Sequence, residues 1–257
     1  MKKLGEEMAI DQNKIIDTTL LAGRIMTEGG SEIYRVEDTM RRIVRKATGD
    51  DSEIFATITG VLLTMDSDDH TRFSQINRRG IDMEKINIVN ELSRKFTDDQ
   101  IDLNQLQAQL KKLDHELPNF PLWLRVLGAG LEGMFLMIIF TQTHDWFDMP
   151  LTLVAGAVGY LVAEILGSIS RIRFVREFLG SLVLGIVGIA GVRLGLGHDV
   201  NNVLIGAVMP LVPGVPITNA LRDLIEGNLL AGIERGFEAA LTVFAIACAI
   251  GTLFHYL

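Results

Sequence analysis

The chain has 257 residues, 48% of them hydrophobic and 22% charged, with a formal net charge of −8. An acidic balance argues against nucleic acid as a partner, because phosphate binding needs a basic face. A single cysteine, Cys248, excludes a disulfide within the chain and a cysteine-based metal site.

The averages hide a split. Residues 1–120 hold 17 of the 24 Lys/Arg and 22 of the 32 Asp/Glu. The rest of the chain is correspondingly poor in charge, and each part is long enough to fold by itself. The sequence therefore predicts an α+β soluble N-terminal domain over 1–120. An all-α polytopic membrane bundle of about five transmembrane helices follows over 121–257. Met1 to Ile10 is charged and has no apolar h-region, so no signal peptide is expected and the first domain is placed in the cytoplasm.

In chain order, Ile15, Ile16, Leu20, Leu21 and Met26 form one stripe of a first helix, ended by Gly29-Gly30. Ser31 is placed to cap a second, whose Ile33, Val36, Met40, Ile43 and Val44 recur at spacings of three and four before Gly49 closes it. Glu53 to Met65 is rich in β-branched and aromatic residues and reads as one or two strands. Asp66 to His70 turns the chain into a further strand, Thr71 to Asn77. Ile86, Val89, Leu92 and Phe96 mark a third helix. Thr97 or Asp98 is expected to cap a fourth, along which Leu103, Leu106, Leu110, Leu113 and Leu117 form a narrow packing seam ended by Pro118.

This part carries no enzyme signature and no catalytic residue is assigned. Asp66, Asp68, Asp69 and His70 match no calcium loop, so no metal or other cofactor is expected. Ser31 lacks the glycines of a nucleophile elbow, and no phosphate-binding GxxxxGK[ST] loop is present.

Five apolar runs follow, at about 122–140, 151–170, 178–196, 200–218 and 237–256. Each is long enough, at 1.5 Å per residue, to cross roughly 30 Å of hydrocarbon. Arg171, Arg173 and Arg176 lie between the second and third runs, and Arg222 and Arg235 between the fourth and fifth. The excess of arginine on that side predicts the N-terminus inside and the C-terminus outside. Glycine is dense in the runs, which allows close approach of helix backbones in lipid.

Two acids sit inside runs. Glu132 is near the middle of the first, and Glu164 lies in the inner half of the second, where it is able to snorkel towards Arg171. A carboxylate in hydrocarbon costs a few kcal/mol or more, so each is expected to face a polar cavity, a partner or a pathway, and a proton-carrying role suits such chemistry. The fourth run places Pro210, Pro213, Gly214 and Pro216 within seven residues. Each proline removes a donor and clashes with the preceding turn, so an unbroken helix is not expected. Irregular backbone at membrane depth survives only against protein or a water-filled cavity, and carriers use such breaks to bind ions and zwitterions. Thr218, Asn219, Arg222 and Asp223 add a polar set just beyond.

The run from Pro210 to Asp223, with Gly227, Arg235 and Glu238, resembles the signature of the bacterial threonine/serine exporter family. Gly29-Gly-Ser-Glu-Ile-Tyr-Arg-Val-Glu-Asp38, Arg79-Gly-Ile-Asp82 and Val89-Asn-Glu-Leu-Ser-Arg94 agree with it. The resemblance implies a cytoplasmic domain, a multi-span membrane part and proton-driven export of small hydrophilic metabolites from a bacterial inner membrane. Full-length members carry a second membrane module. This chain ends after the fifth run, so it is similar to the split form, whose other module is a separate small multi-span subunit; an oligomer is implied. Split forms also leave dicarboxylates such as succinate open as substrate. A membrane-anchored sensor or assembly subunit without transport activity is the competing class, with the leucine seam as its output surface.

Overall fold

The computed structural model describes residues 2–49, 51–65, 68–116, 120–142, 146–169 and 174–256. Asp66, Leu117, Pro118, Arg171 and Arg173, invoked above, lie outside them, as do the side chains of Asp68, Asp69 and His70. The chain divides into two compact units, one of residues 1–118 with 215–237, the other of 119–214 with 238–257.

In the first unit, α1 (Lys2–Glu28) and α2 (Ile33–Thr48) precede a three-stranded antiparallel sheet of order β1-β2-β3, formed by Ser52–Ala56, Gly60–Met65 and Asp68–Gln75. The apolar segment 53–65 is two strands rather than one. Thr57 Oγ1 accepts from the amides of Thr59 and Gly60, both at 3.2 Å, and closes the turn between them. Register pairs Phe55 with Leu62 and Leu62 with Phe73. Val61, Leu63 and Met65 alternate into the core, as a half-buried strand requires.

Helices α3 (Met83–Thr97) and α4 (Leu103–Glu116) complete the N-terminal layer. Asp82 caps α3 by accepting from Lys85 N–H at 3.0 Å. The expected cap of α4 at Thr97 or Asp98 is corrected to Asp102: Asp98 and Asp99 serve the C-terminal end of α3, and Asp99 takes φ 58°. Asp102 accepts from Gln105 N–H while Gln105 Oε1 accepts from Asp102 N–H, a reciprocal capping box. Leu106, Leu110 and Leu113 of the seam are buried in the same core as Ile16, Ile25, Met26, Ile33, Met40 and Ile43. The core also takes in Ala231, from the second stretch of this unit. That stretch comprises most of α9 (Gly214–Ile225) and the first turns of α10 (Leu229–Tyr256).

The second unit is helical. Its α5 (Leu122–Thr141), α6 (Met149–Ile169) and α7 (Val175–Arg193), together with α10, are the four helices among the described residues long and apolar enough to cross a membrane. The expected fourth span is not one helix. It consists of α8 (Val200–Val208), a 3-10 turn (Met209–Leu211), an extended Val212 and then α9; the pair counts as a fifth crossing only if taken as one broken span. The last helix begins eight residues before the expected boundary at 237 and runs through Glu234, Arg235 and Gly236.

Backbones meet through glycine in this unit. A Cβ on Gly133 of α5 would stand 2.8 Å from the Gly206 carbonyl of α8, and one on Gly206 would stand 2.6 Å from the Gly133 carbonyl. Gly159 of α6 and Gly180 of α7 oppose each other in the same way, at 3.0 and 2.9 Å. Without a hydrophobic drive between helices in lipid, such close approach supplies the packing.

Candidate functional site

The three prolines occupy positions where a missing N–H costs little. Pro210 opens the 3-10 turn, Pro213 sits between helices, and Pro216 lies in the first turn of α9, whose amides have no intrahelical acceptor. Gly214 N–H turns back to Val212 O at 2.8 Å, and a Cβ at Gly214 would meet nothing within 4 Å. Pro210, Pro213 and Gly214 belong to the second unit and Pro216 to the first. Thr218 is exposed and donates to Val215 O within its own helix at 3.0 Å.

Asn219, Arg222 and Asp223 are gathered in the first unit, about the turn that links α1 to α2. Gly30 makes that turn with φ +85°, a conformation open to glycine, and a Cβ there would stand 2.8 Å from the Gly80 carbonyl. Its carbonyl accepts from Asn219 Nδ2 at 2.9 Å. The carbonyl of Ser31 accepts from Arg235 Nη2 at 3.0 Å, and Glu32 pairs with Arg222 and, at 3.2 Å, with Arg35. Asp223 Oδ1 accepts from Ile33 N–H at 2.9 Å.

The last contact replaces an expectation. Ser31 does not cap α2: Glu32 holds the N-cap position without a side-chain cap bond, and Ser31 Oγ lies 3.4 Å from Glu32 O. The cap comes from Asp223, 190 residues away. A carboxylate at a helix N-terminus is favoured both by the orphan amides and by the helix dipole. Asp223 is fully buried, and its second oxygen makes no hydrogen bond among the described residues but faces Arg235 Nε at 3.6 Å, itself 7% exposed.

The carboxylates of Glu32, at the N-cap of α2, and Glu37, within it, border Asp223. Burial raises Glu32, but its own backbone amide, Arg35 and Arg222 outweigh that and hold its carboxyl below the usual range. Burial pushes Glu37 up, opposed by the Ala56 amide and Arg41 and reinforced by the charge of Asp223. Ala56 N–H donates to Glu37 Oε1 at 3.2 Å, so α2 is tied to β1 at the same place.

In the second unit, Glu164 pairs with Arg125 Nη1 of α5 at 2.6 Å, next to Tyr160. The partner expected for it, Arg171, lies outside the described residues. Glu132 sits on the exposed side of α5 and finds no hydrogen-bond or ion-pair partner among the described residues.

Two buried groups of α7 went unremarked in the sequence. Glu177 bonds Arg176 through Oε1 at 2.5 Å but leaves Oε2 buried with no hydrogen-bond partner among the described residues, and the hydroxyl of Ser181, one turn on, is likewise buried without one. The apolar run begins at Phe178, one residue past Glu177; the inward spacing of Glu177, Gly180, Ser181 and Leu184 is the sequence signal that includes it. Asp148 is fully buried and accepts from the amides of His198 and Asp199, holding the link between α7 and α8.

Four apolar helices long enough to cross a membrane and a proline-broken segment, found among the described residues and joined in one chain to an α+β unit, define a polytopic membrane protein. The family model described as "Putative threonine/serine exporter" matches residues 17–256, and the chain belongs to that family. It is 24% identical over 251 residues to a Klebsiella aerogenes protein named "Probable succinate transporter subunit YjjP", covering 93% of each chain. The Escherichia coli K12 protein of the same name is 21% identical over 246 residues, again 93% of each. A Debaryomyces hansenii protein, "Pheromone-regulated membrane protein 10", is 24% identical over 220 residues, 82% of this chain. The match spans only 21% of that yeast protein's length. No solved structure matches.

Proposed function

We propose that the chain is the membrane subunit of a proton-coupled secondary exporter of small hydrophilic metabolites, of the threonine/serine type, which works with a separate small membrane subunit. The observation that carries this reading is the break at Val212–Pro213 inside an otherwise apolar segment. Lipid does not tolerate unpaired carbonyls, so the break requires a polar lining, and polar cargo is what such a lining serves. In this reading Pro210, Pro213, Gly214 and Pro216 shape the break, and Thr218, Asn219, Arg222 and Asp223 respond to cargo at its inner end. Glu132 carries the proton, and Glu164 with Arg125 keeps the inner end of α5 and α6 polar.

We place residues 1–120 in the bacterial cytoplasm and the C-terminus outside the inner membrane. The bonds of Arg222 to Glu32 and of Arg235 to Ser31 support this, since they put both arginines on the N-terminal domain's side, as positive-inside charge requires.

The test is flux in vesicles that hold both subunits, loaded with labelled threonine, serine or succinate, with an imposed pH gradient. Gradient-dependent loss of threonine or serine supports the reading, and Glu132→Gln should abolish the dependence on the gradient. Replacing Pro213 and Gly214 together with Ala should regularise the segment and abolish flux; normal flux in that variant rejects the break as functional. A second reading, export of a dicarboxylate, is favoured by the names of the two bacterial relatives, and selective loss of succinate would establish it. No flux of any cargo would leave the anchored sensor or assembly subunit.

A further inference from the structure

We infer that the outward stripe of α5 centred on Gly128 and Glu132 is the docking surface for a different membrane chain, one that presents a hydrogen-bond donor at the middle of a transmembrane helix. The identity of that occupant as a subunit rests on the transporter reading above; the surface itself rests on geometry.

Leu124, Gly128, Leu131, Glu132, Phe135 and Ile139 recur at spacings of three and four, so they form one stripe about 100° wide. All six are exposed. The opposite face of the same helix, Ala129, Gly130, Gly133 and Met137, is the one buried in the unit. Of the four long helices, α5 is the least covered by its own chain, at 22% of its apolar window.

Exposure alone says nothing on a membrane helix, since lipid covers apolar side chains. Glu132 is different. It stands at the eleventh of twenty residues, so hydrocarbon surrounds it on every side unless protein does. An acid at that depth is expensive, and no side chain among the described residues pairs with it. Gly128, one turn away on the same stripe, has open space around its Cβ position, so another backbone is able to approach there closely.

A second copy of this chain does not meet the need. Two-fold pairing on the stripe sets Glu132 against itself, which places like groups together. A head-to-tail copy would need an Asn, Gln, His, Lys or Arg at mid-depth. Among the described spans of the second unit, Arg125, Arg176, Arg193, Asn201, Asn202 and His255 all lie in a first or last turn. Complementary chemistry therefore has to come from another chain, with Asn, Gln, His, Lys or Arg opposite Glu132 and a surface that admits close approach at Gly128.

The experiment places a photoreactive residue at Phe135 or Ile139 of the full chain in its native membrane, with Ile186 and Phe244 as lipid-facing controls. The expected product at Phe135 is an adduct with one other polytopic membrane chain, cross-linked through a helix carrying such a donor, and no such adduct at the controls. Labelling of lipid alone, or an adduct of two copies of this chain, overturns the proposal. With the captured chain co-purified, Glu132→Leu and Gly128→Leu should each weaken association about tenfold, the equivalent of about 1.4 kcal/mol. Both variants should keep the isolated chain's melting temperature, because a Cβ at Gly128 meets nothing within 4 Å and Glu132 is exposed with no hydrogen bond or ion pair among the described residues. Undiminished association in Glu132→Leu refutes the assignment. If Phe135 meets only lipid while the vesicles still export, the surface is wrong and the transporter reading stands. If the adduct forms and no cargo moves, the reverse holds.

Discussion

Replacing Asp223 with Ala separates two effects that act at one place. Ile33 N–H loses its acceptor, which costs about 0.5–2 kcal/mol as the loss of a helix N-cap. Arg235, only 7% exposed, loses the carboxylate at 3.6 Å. Removing one partner of a buried pair costs about 3–5 kcal/mol, because the other charge is left unpaired. The second effect dominates, and Ser31 O, which still accepts from Arg235, brings the total toward the lower end. A loss of about 3 kcal/mol lowers the melting temperature by roughly 6–12 °C in a unit of this size. Hydrogen exchange followed by mass spectrometry reads the site directly: amides at the start of α2 should exchange faster in Asp223→Ala. Asp223→Asn should fall between the two proteins, since its Oδ1 still accepts from Ile33 while the charge opposite Arg235 is gone. Unchanged exchange at Ile33–Val36 together with an unchanged melting temperature would refute the cross-chain cap.

Two further outcomes follow from the same geometry. Glu37 has a folded-state pKa above its usual 4.5, so its contribution is fully present below 4.5 and is lost as pH rises through the raised value. Glu37→Gln keeps the acceptor for Ala56 N–H and removes the charge; it should therefore stabilise the chain at neutral pH and have no such effect below 4.5, measured as melting temperature against pH. Gly206→Ala forces a methyl to within 2.6 Å of the Gly133 carbonyl and Thr152 Cγ2. Overpacking of this kind costs about 1–3 kcal/mol, so the variant should melt earlier than wild type, whereas Gly214→Ala, with nothing within 4 Å, should not.

Some features were legible because they are properties of the chain taken one stretch at a time. The split in charge at about residue 120, the five apolar runs and the cluster Pro210, Pro213, Gly214 and Pro216 depend on composition and on proline's missing donor. Helices α2 and α3 followed from apolar residues recurring at three and four, and Gly49 closes α2 in the left-handed conformation its position demands, φ 78°. Capping was less legible. Several polar residues near α4 were able to cap it, and the choice of Asp102 over Asp98 depended on where α3 ends.

What the tertiary structure decided is which distant groups share a place. Periodicity names the face that turns inward, but not what it meets there. Nothing local in Gly30-Ser-Glu-Ile33 says that its carbonyls and amide are taken up by Asn219, Asp223 and Arg235, 189 to 204 positions later. Nor does the spacing of α5 alone say that Gly133 turns in against Gly206 while Glu132 turns out. The sequence by itself determined where the backbone must break and where acids meet apolar surroundings. Only the fold assigned those groups their partners, because desolvation and ion pairing depend on proximity in space.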